Sequence, residues 1–314
     1  MSKIKHFIET QDLTKEDYLE ILERAVEYQK NPEKTRHLCE GKTIATMMFK
    51  ASTRTGTMAQ TAMQKMGGGW VGIQGTAGTY IETGEEDEED IMRSVAAYTD
   101  IMVVRHKKLN LYDFADTFPI PLMNGLCGND EHTIGGVLFL YSVLRHFGRL
   151  DNIKLGLYGQ TVNSRPFKTV EKILSFFNAK MYEDSVLDEL ATPPHIIKFV
   201  EEHGSTFEKA KLKDFIGEID VLLIQDGMPS LGVDDPKIMA EYTKRFATMT
   251  PKDFEPMRKD AIFYYEQPRA MMDGRLTVSK EVDSDPRSMG QAMMGEGIYP
   301  MMALITYLLE KSGK

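Results

Sequence analysis

Ser52-Thr53-Arg54-Thr55 is the segment whose residue types and spacing are best suited to chemistry: three hydroxyls and a guanidinium stand within four residues. The segment follows an apolar run, Thr43 to Phe49, and precedes a run with helical spacing through Ala62 and Met66. Strand, polar turn and helix start in that order bring unpaired backbone N–H groups and the positive end of the helix dipole to the hydroxyls, which favours an anion. Arginine adds a planar fork that fits phosphate oxygens without any metal. The same residues also fit a plain helix cap, and on spacing alone both readings stay open.

A sheet is needed beneath that turn. Leu13-Thr14 followed by Lys15-Glu16-Asp17 reads as a helix start, and this first helix ends near Asn31-Pro32. After the strand and helix around residues 52–55, closed by Gly67-Gly68-Gly69, come a short strand Trp70–Ile73, a Gly/Thr loop at 75–79 and an acidic run Glu85–Asp90. The acidic run leads a helix to about Tyr98 and reads either as a solvated helix start or as an acidic wall facing a cationic substrate or partner subunit. Ile101–Val104 is a buried strand ending on Arg105, Pro119–Met123 another strand, and Thr133–Phe147 a helix stopped by Gly148. A second series follows with Lys154–Gly159, a helix Arg165–Phe177, strands Val221–Ile224 and Ala261–Tyr264, and a closing helix Tyr299–Leu309. Alternating strands and helices predict an α/β fold of two domains, each a parallel sheet flanked by helices. The expected bounds are 1–147, with a helix at about 296–314 packing back on it, and 148–295.

The 314 residues suit two such domains, and 42% hydrophobic with 27% charged residues is ordinary for chains that bury a core. A net charge of −9 makes general affinity for nucleic acid unexpected and confines positive potential to a cleft. The charged N-terminus lacks a secretory pattern and no stretch nears 18 consecutive apolar residues, so export and membrane insertion are not expected. Cys39 and Cys127 alone cannot form a disulfide framework and show no Cys-x-x-Cys spacing, which fits a cytoplasmic location and suggests no metal. The late methionines, Met271 to Met302, read mostly as flexible core packing. No nucleophile–base pair such as Ser-His-Asp is evident. Neither Gly159-Gln160-Thr161 nor Gly67-Gly68-Gly69 carries the dinucleotide fingerprint.

Met48-Phe49-Lys50-Ala51 and the 52–55 segment, continuing through Thr61-Ala62-Met63 to the glycines, resemble the carbamoyl-phosphate loop and following helix of the aspartate and ornithine carbamoyltransferase family. Val104-Arg105-His106, Asn124 to His132, Gly148-Arg149-Leu150-Asp151-Asn152 and Gly159 to Arg165 are similar to further family segments in order, with the resemblance strongest from about 42 to 165 and thin from 180 to 260. The resemblance implies that Ser52, Thr53, Arg54 and Thr55 hold phosphate, and that Arg105 and His132 contact the carbonyl oxygen of carbamoyl phosphate and stabilise the oxyanion, with Arg54 beside them in the catalytic set. Taken alone, Arg105 would be a surface ion-pair partner and His132 a satisfied loop histidine. Arg165 matches a carboxylate-binding arginine, with a structural ion pair as its alternative, and Gln267, Pro268 and Arg269 fall at the second-substrate turn. No cofactor is implied, and the active sites would be shared in a homotrimer through the loop in the 80s.

The departures narrow the expectation. His132-Thr133-Ile134-Gly135 stands where the family has His-Pro-x-Gln, residues 74–92 lack the family lysine, and Lys50 replaces a common glutamate. Asp226-Gly227-Met228 replaces the Arg-x-Gln that grips aspartate, and the ornithine signature has no counterpart. The expected activity is transfer of a carbamoyl group from carbamoyl phosphate to the amine of a small carboxylate-bearing substrate. Use of a related acyl phosphate, ureido phosphorolysis, and a non-catalytic phosphate-ligand-binding homologue are the alternatives.

Overall fold

The structure, a computed structural model, describes residues 4–128, 131–162, 164–225, 235–267 and 269–314. The chain divides into two compact units, Met1–Tyr141 with Gly295–Lys314, and Ser142–Met294.

The first unit opens with α1 (Lys15–Lys30), where the Thr14 side chain accepts from the Asp17 N–H and the Asp17 side chain returns a bond to Thr14, leaving Tyr18, Ile21, Leu22 and Ala25 on the buried stripe. There follow β1 (Thr43–Met48), α2 (Arg54–Lys65), β2 (Gly69–Gln74), α3 (Tyr80–Thr83), α4 (Glu88–Ala96), β3 (Ile101–Arg105), α5 (Tyr112–Ala115), β4 (Leu122–Asn124) and α6 (Thr133–Phe147). Among the described residues the four strands form one parallel sheet in the order β2-β1-β3-β4. The helix expected from the acidic run is α4, started by Asp87 accepting the Asp90 N–H, and a short helix not expected from the sequence, α3, precedes the run and ends at Gly84 with φ +74. The strand expected over Pro119–Met123 begins only at Leu122, since Pro119 and Pro121 have no N–H to give a ladder.

In the second unit β5 (Lys154–Gly159), α7 (Arg165–Ser175), β6 (Lys180–Asp184), α8 (Pro194–Glu202), β7 (Thr206–Lys209), α9 (Leu212–Phe215), β8 (Val221–Gln225), α10 (Pro236–Arg245) and β9 (Ile262–Tyr265) build a parallel sheet in the order β7-β6-β5-β8-β9. A small hairpin, β10 (Met271–Met272) with β11 (Arg275–Leu276), leads on to α11 (Gly290–Glu296). The last helix, α12 (Ile298–Lys311), is apolar because it is core: Pro300 to Ile305 and Tyr307 to Leu309 are buried. It packs along α1 and α2 and is tied to α1 by Tyr307 Oη donating to Asp17 at 2.6 Å and by Arg24–Glu310 at 2.8 Å. The stretch Ala292–Lys311 is long and apolar enough to cross a membrane by composition, and the packing of α12, which makes up most of it, in the first unit accounts for that composition.

Two glutamates lie inside the second unit. Glu171 on α7 is fully buried and Glu183 on β6 nearly so, and the Thr192 hydroxyl lies 2.9 Å from Oε1 of each. One hydroxyl donates one proton. Glu183 Oε1 also accepts the Thr192 N–H at 2.8 Å and the Thr161 hydroxyl, so it is the carboxylate side, and Glu171 supplies the second proton as a neutral acid. Burial, with the charge of Glu183 adding to it, raises Glu171 well above the ordinary carboxylate range. The folded chain thus keeps a proton that the unfolded chain releases. Stability from this group is fully present below the unfolded carboxylate pKa and is lost as pH rises. Glu171→Gln removes that dependence and is expected to raise the melting midpoint by about 2–4 °C at pH 8 and hardly at all at pH 4; a scanning-calorimetry pH series that moved the opposite way would reverse the assignment.

Candidate functional site

The register of the first sheet decides which residues meet. Met48 at the end of β1 pairs with Arg105 at the end of β3, and Val104 pairs with Asn124 on β4. The segments beginning at Phe49, His106 and Gly125 therefore leave from the carboxyl ends of three adjacent strands. The order β2-β1-β3-β4 reverses direction between β1 and β3, the point where open parallel sheets bind ligands.

Ser52 to Thr55 lies at that point, with Ser52 and Thr55 buried and Thr53 and Arg54 exposed. The plain capping role is not realised: Thr53 stands at the N-cap of α2 and makes no side-chain cap hydrogen bond. The first turn of α2 thus takes no cap from Thr53, and its backbone N–H groups adjoin the hydroxyl-bearing segment in the chain. Gln74, the last residue of β2, clamps the turn, its Oε1 accepting from the Ser52 N–H at 3.1 Å and its Nε2 donating to the Ser52 carbonyl at 3.4 Å. Gly56 leaves room for the clamp, since a Cβ there would sit 2.9 Å from Gln74 Nε2. Sequence reasoning missed both residues, because a clamp from a neighbouring strand leaves no local pattern. Arg105 reaches across from β3, with Nη1 3.5 Å from Ser52 Oγ. The guanidinium and the phosphate-type segment are thereby brought together.

His132 is placed by a latch rather than by a strand. Glu131, buried beside it, accepts from the Thr10 N–H at 2.7 Å and the Thr10 hydroxyl at 2.6 Å. Asn124 shapes the preceding turn, its Oδ1 accepting from the N–H groups of Leu126 and Cys127 and its Nδ2 donating to the Ile8 carbonyl at 2.9 Å. Leu126 is held at φ +101 in that turn, a conformation non-glycine residues seldom take. A Cβ on Gly135 would meet the His132 ring at 3.3 Å, so the ring lies against the first turn of α6 where a longer side chain would crowd it. His106 has a local role: its Nδ1 accepts the N–H groups of Lys108 and Leu109, and its Nε2 faces Glu88 at 3.3 Å. Glu88 and Asp87 of the acidic run are thus engaged in local structure at the start of α4.

Taken by itself, the second unit places Arg165 at the first position of α7 behind the N-cap Ser164, whose hydroxyl accepts from the Phe167 N–H at 3.3 Å. Arg269 stacks on Tyr265, 4.7 Å from the ring centroid, and pairs with Asp283 at 2.6 Å. That engagement gives it a structural tie besides any role toward substrate. Gln267 is half-buried just beyond β9. Pro268 and Asp226 to Met228 lie outside the described residues.

The family model described as aspartate/ornithine carbamoyltransferase, carbamoyl-P binding domain, matches residues 5–143. The chain is 31% identical over 226 residues to the aspartate carbamoyltransferase catalytic subunit of Thermococcus onnurineus, covering 71% of this chain and 72% of that one. The chain belongs to the aspartate/ornithine carbamoyltransferase family. The corresponding subunit of Finegoldia magna is 29% identical over 314 residues, 98% of this chain and 99% of its own. The solved catalytic subunit of M. jannaschii aspartate transcarbamoylase superposes with a TM-score of 0.86 at 28% identity, over 99% of both chains. The two parallel-sheet α/β units are the carbamoyltransferase fold, and the chain is an enzyme of the carbamoyltransferase type.

Proposed function

We infer that this enzyme transfers the carbamoyl group of carbamoyl phosphate to the amine of a small carboxylate-bearing substrate and releases phosphate. The observation that carries this reading is the α2 N-terminus, left without a side-chain cap, with Arg105 beside it at the switch point of the sheet. Ser52, Thr53, Arg54 and Thr55 take the phosphate, while Arg105 and His132 donate to the carbonyl oxygen. A neutral amine attacks the carbonyl carbon, a C–N bond forms, and the carbonyl π electrons move onto the oxygen, where those donors hold the developing charge. Collapse of the tetrahedral species breaks the C–O bond to phosphorus. The phosphate leaves with the bonding pair, and its oxygen accepts the proton lost by the amine. Holding the reactants at about 3 to 3.5 Å supplies the rest of the rate. Arg165 takes the substrate carboxylate, with Gln267, Pro268 and Arg269 at the turn beyond β9.

The reading includes a cytoplasmic homotrimer. Cys39 and Cys127, both buried thiols outside any disulfide among the described residues, fit a reducing compartment. The edge strand β2 is exposed along its length, with Trp70 at 48% and Tyr80 of the following segment at 67%, a surface suited to a second copy. Sedimentation equilibrium is expected to give about three times 35.6 kDa.

Calorimetric titration with carbamoyl phosphate, inorganic phosphate and acetyl phosphate, with Arg54→Ala as control, tests the activity. Carbamoyl phosphate is expected to bind best, and Arg54→Ala to weaken it at least about tenfold. Gly135 supplies no side chain toward a carbamoyl amide, so equal binding of acetyl phosphate would favour a different acyl donor instead.

A further inference from the structure

The switch point of the second sheet lies between β5 and β8, and two glutamines meet there. Gly159 pairs with Gln225 in the ladder, so Gln160 follows directly on the position opposite Gln225. Gln160 is 1% exposed and Gln225 fully buried. Tyr242 joins their backbones, its hydroxyl accepting the Gln160 N–H and donating to the Gln225 carbonyl, both at 3.1 Å.

The side chains are satisfied on one side only. Ser164, the N-cap of α7, accepts the Phe167 N–H and donates its own proton to Gln225 Oε1 at 3.1 Å. That bond fixes the Gln225 amide with its NH2 turned the other way, and among the described residues Nε2 has no hydrogen-bond partner. Gln160 Oε1, also buried, has none among them either. A buried donor thus stands idle beside the N-cap of an 11-residue helix whose first residue is Arg165, and a buried acceptor stands idle five residues ahead of that arginine in the chain. Buried polar groups are nearly always paired, so an idle pair at a ligand-binding position calls for a ligand that pairs both.

The chemistry of the pair selects that ligand. A carboxylate only accepts, so it would satisfy Gln225 Nε2 and repel Gln160 Oε1. An ammonium only donates and fails in the opposite way. A carboxamide or ureido group does both and matches the acceptor of Gln160 and the donor of Gln225 at once. We propose that Gln160 and Gln225 determine acceptor specificity, selecting a substrate whose far end is an uncharged carboxamide or ureido group. This deepens the carbamoyl-transfer reading and rests on it for the identity of the reacting amine, whereas the binding preference does not.

The test is calorimetric titration of three matched pairs into the full-length protein in saturating inorganic phosphate: L-asparagine against L-aspartate, L-glutamine against L-glutamate, and L-citrulline against L-ornithine. The neutral member of at least one pair is expected to bind at least about tenfold tighter than its charged partner, as when a site built to hydrogen-bond a group meets a ligand lacking it. Gln160→Met is expected to abolish the preference while leaving the melting midpoint unchanged or higher, because it removes an idle buried acceptor; a merely structural glutamine would lower it. Gln225→Met serves as the second variant. Absence of any such preference, or its survival in Gln160→Met, overturns the proposal. Failure of carbamoyl transfer shows separately, as tight binding of the neutral member with no phosphate released from carbamoyl phosphate in its presence.

Discussion

Arg105→Ala is expected to lower turnover by about 100- to 1,000-fold, the scale for losing one preorganised donor to a developing oxyanion. The geometry supports a large effect without collapse of the fold. Arg105 ends β3, whose four preceding residues are buried and three of them, Met102 to Val104, paired on both sides, so the strand does not depend on the side chain. Its guanidinium extends to Ser52 Oγ rather than into the core. Affinity for inorganic phosphate should change far less than turnover, since Arg54, the hydroxyls and the α2 N-terminus remain. Arg105→Lys keeps the charge but loses the fork, and should recover only part of the rate. Steady-state phosphate release beside phosphate titration separates the two quantities. Equal losses in both would make Arg105 a phosphate ligand instead.

The largest expected effect on stability is at Gly159. Its φ is +104, where side-chain-bearing residues are strained, and a Cβ there would stand 1.9 Å from the Gln225 carbonyl oxygen and 3.0 Å from the Tyr242 hydroxyl. The obstacle at the closest point is backbone of the neighbouring strand, so no rotamer change relieves it. Gly159→Ala must part β5 from β8 and break the Tyr242 bridge, and should cost about 3–5 kcal/mol. Urea unfolding followed by a probe in the second unit would show it. A shift below about 1 kcal/mol would mean that β5 can re-register there.

The β1–turn–α2 unit was legible because each of its signals is local: an apolar strand, four polar residues and a helix closed by glycines. Arg105 was legible as the end of an apolar run. The stretch from 180 to 225 was not, apart from β8. β6 carries Lys180, Glu183 and Asp184, and its buried acids disguise a core strand as a surface one. β7 is an exposed edge and offers no apolar alternation. The contacts that finish the first site were hidden for a different reason. Gln74 to Ser52 spans 22 residues and Glu131 to Thr10 spans 121, and pairings at such separation follow from topology rather than from neighbours in the chain. Gln160 and Gln225 carry no local signal in the sequence, and only the ladder that pairs Gly159 with Gln225 brings their backbones close.

The packing of α12 against α1 and α2 also sets a timetable for synthesis. The stretch Ser142–Met294 lies between the two pieces of the first unit, so a ribosome has translated all of it before the helix that completes the first core is made. The nascent second unit has its whole sequence in hand and is free to fold early. The first unit must wait with Tyr18, Ile21 and Leu22 of α1 uncovered. A message truncated just ahead of codon 298 would thus yield a chain that keeps every residue assigned to the two sites and still presents an open apolar furrow, a substrate for chaperones and proteases rather than an enzyme.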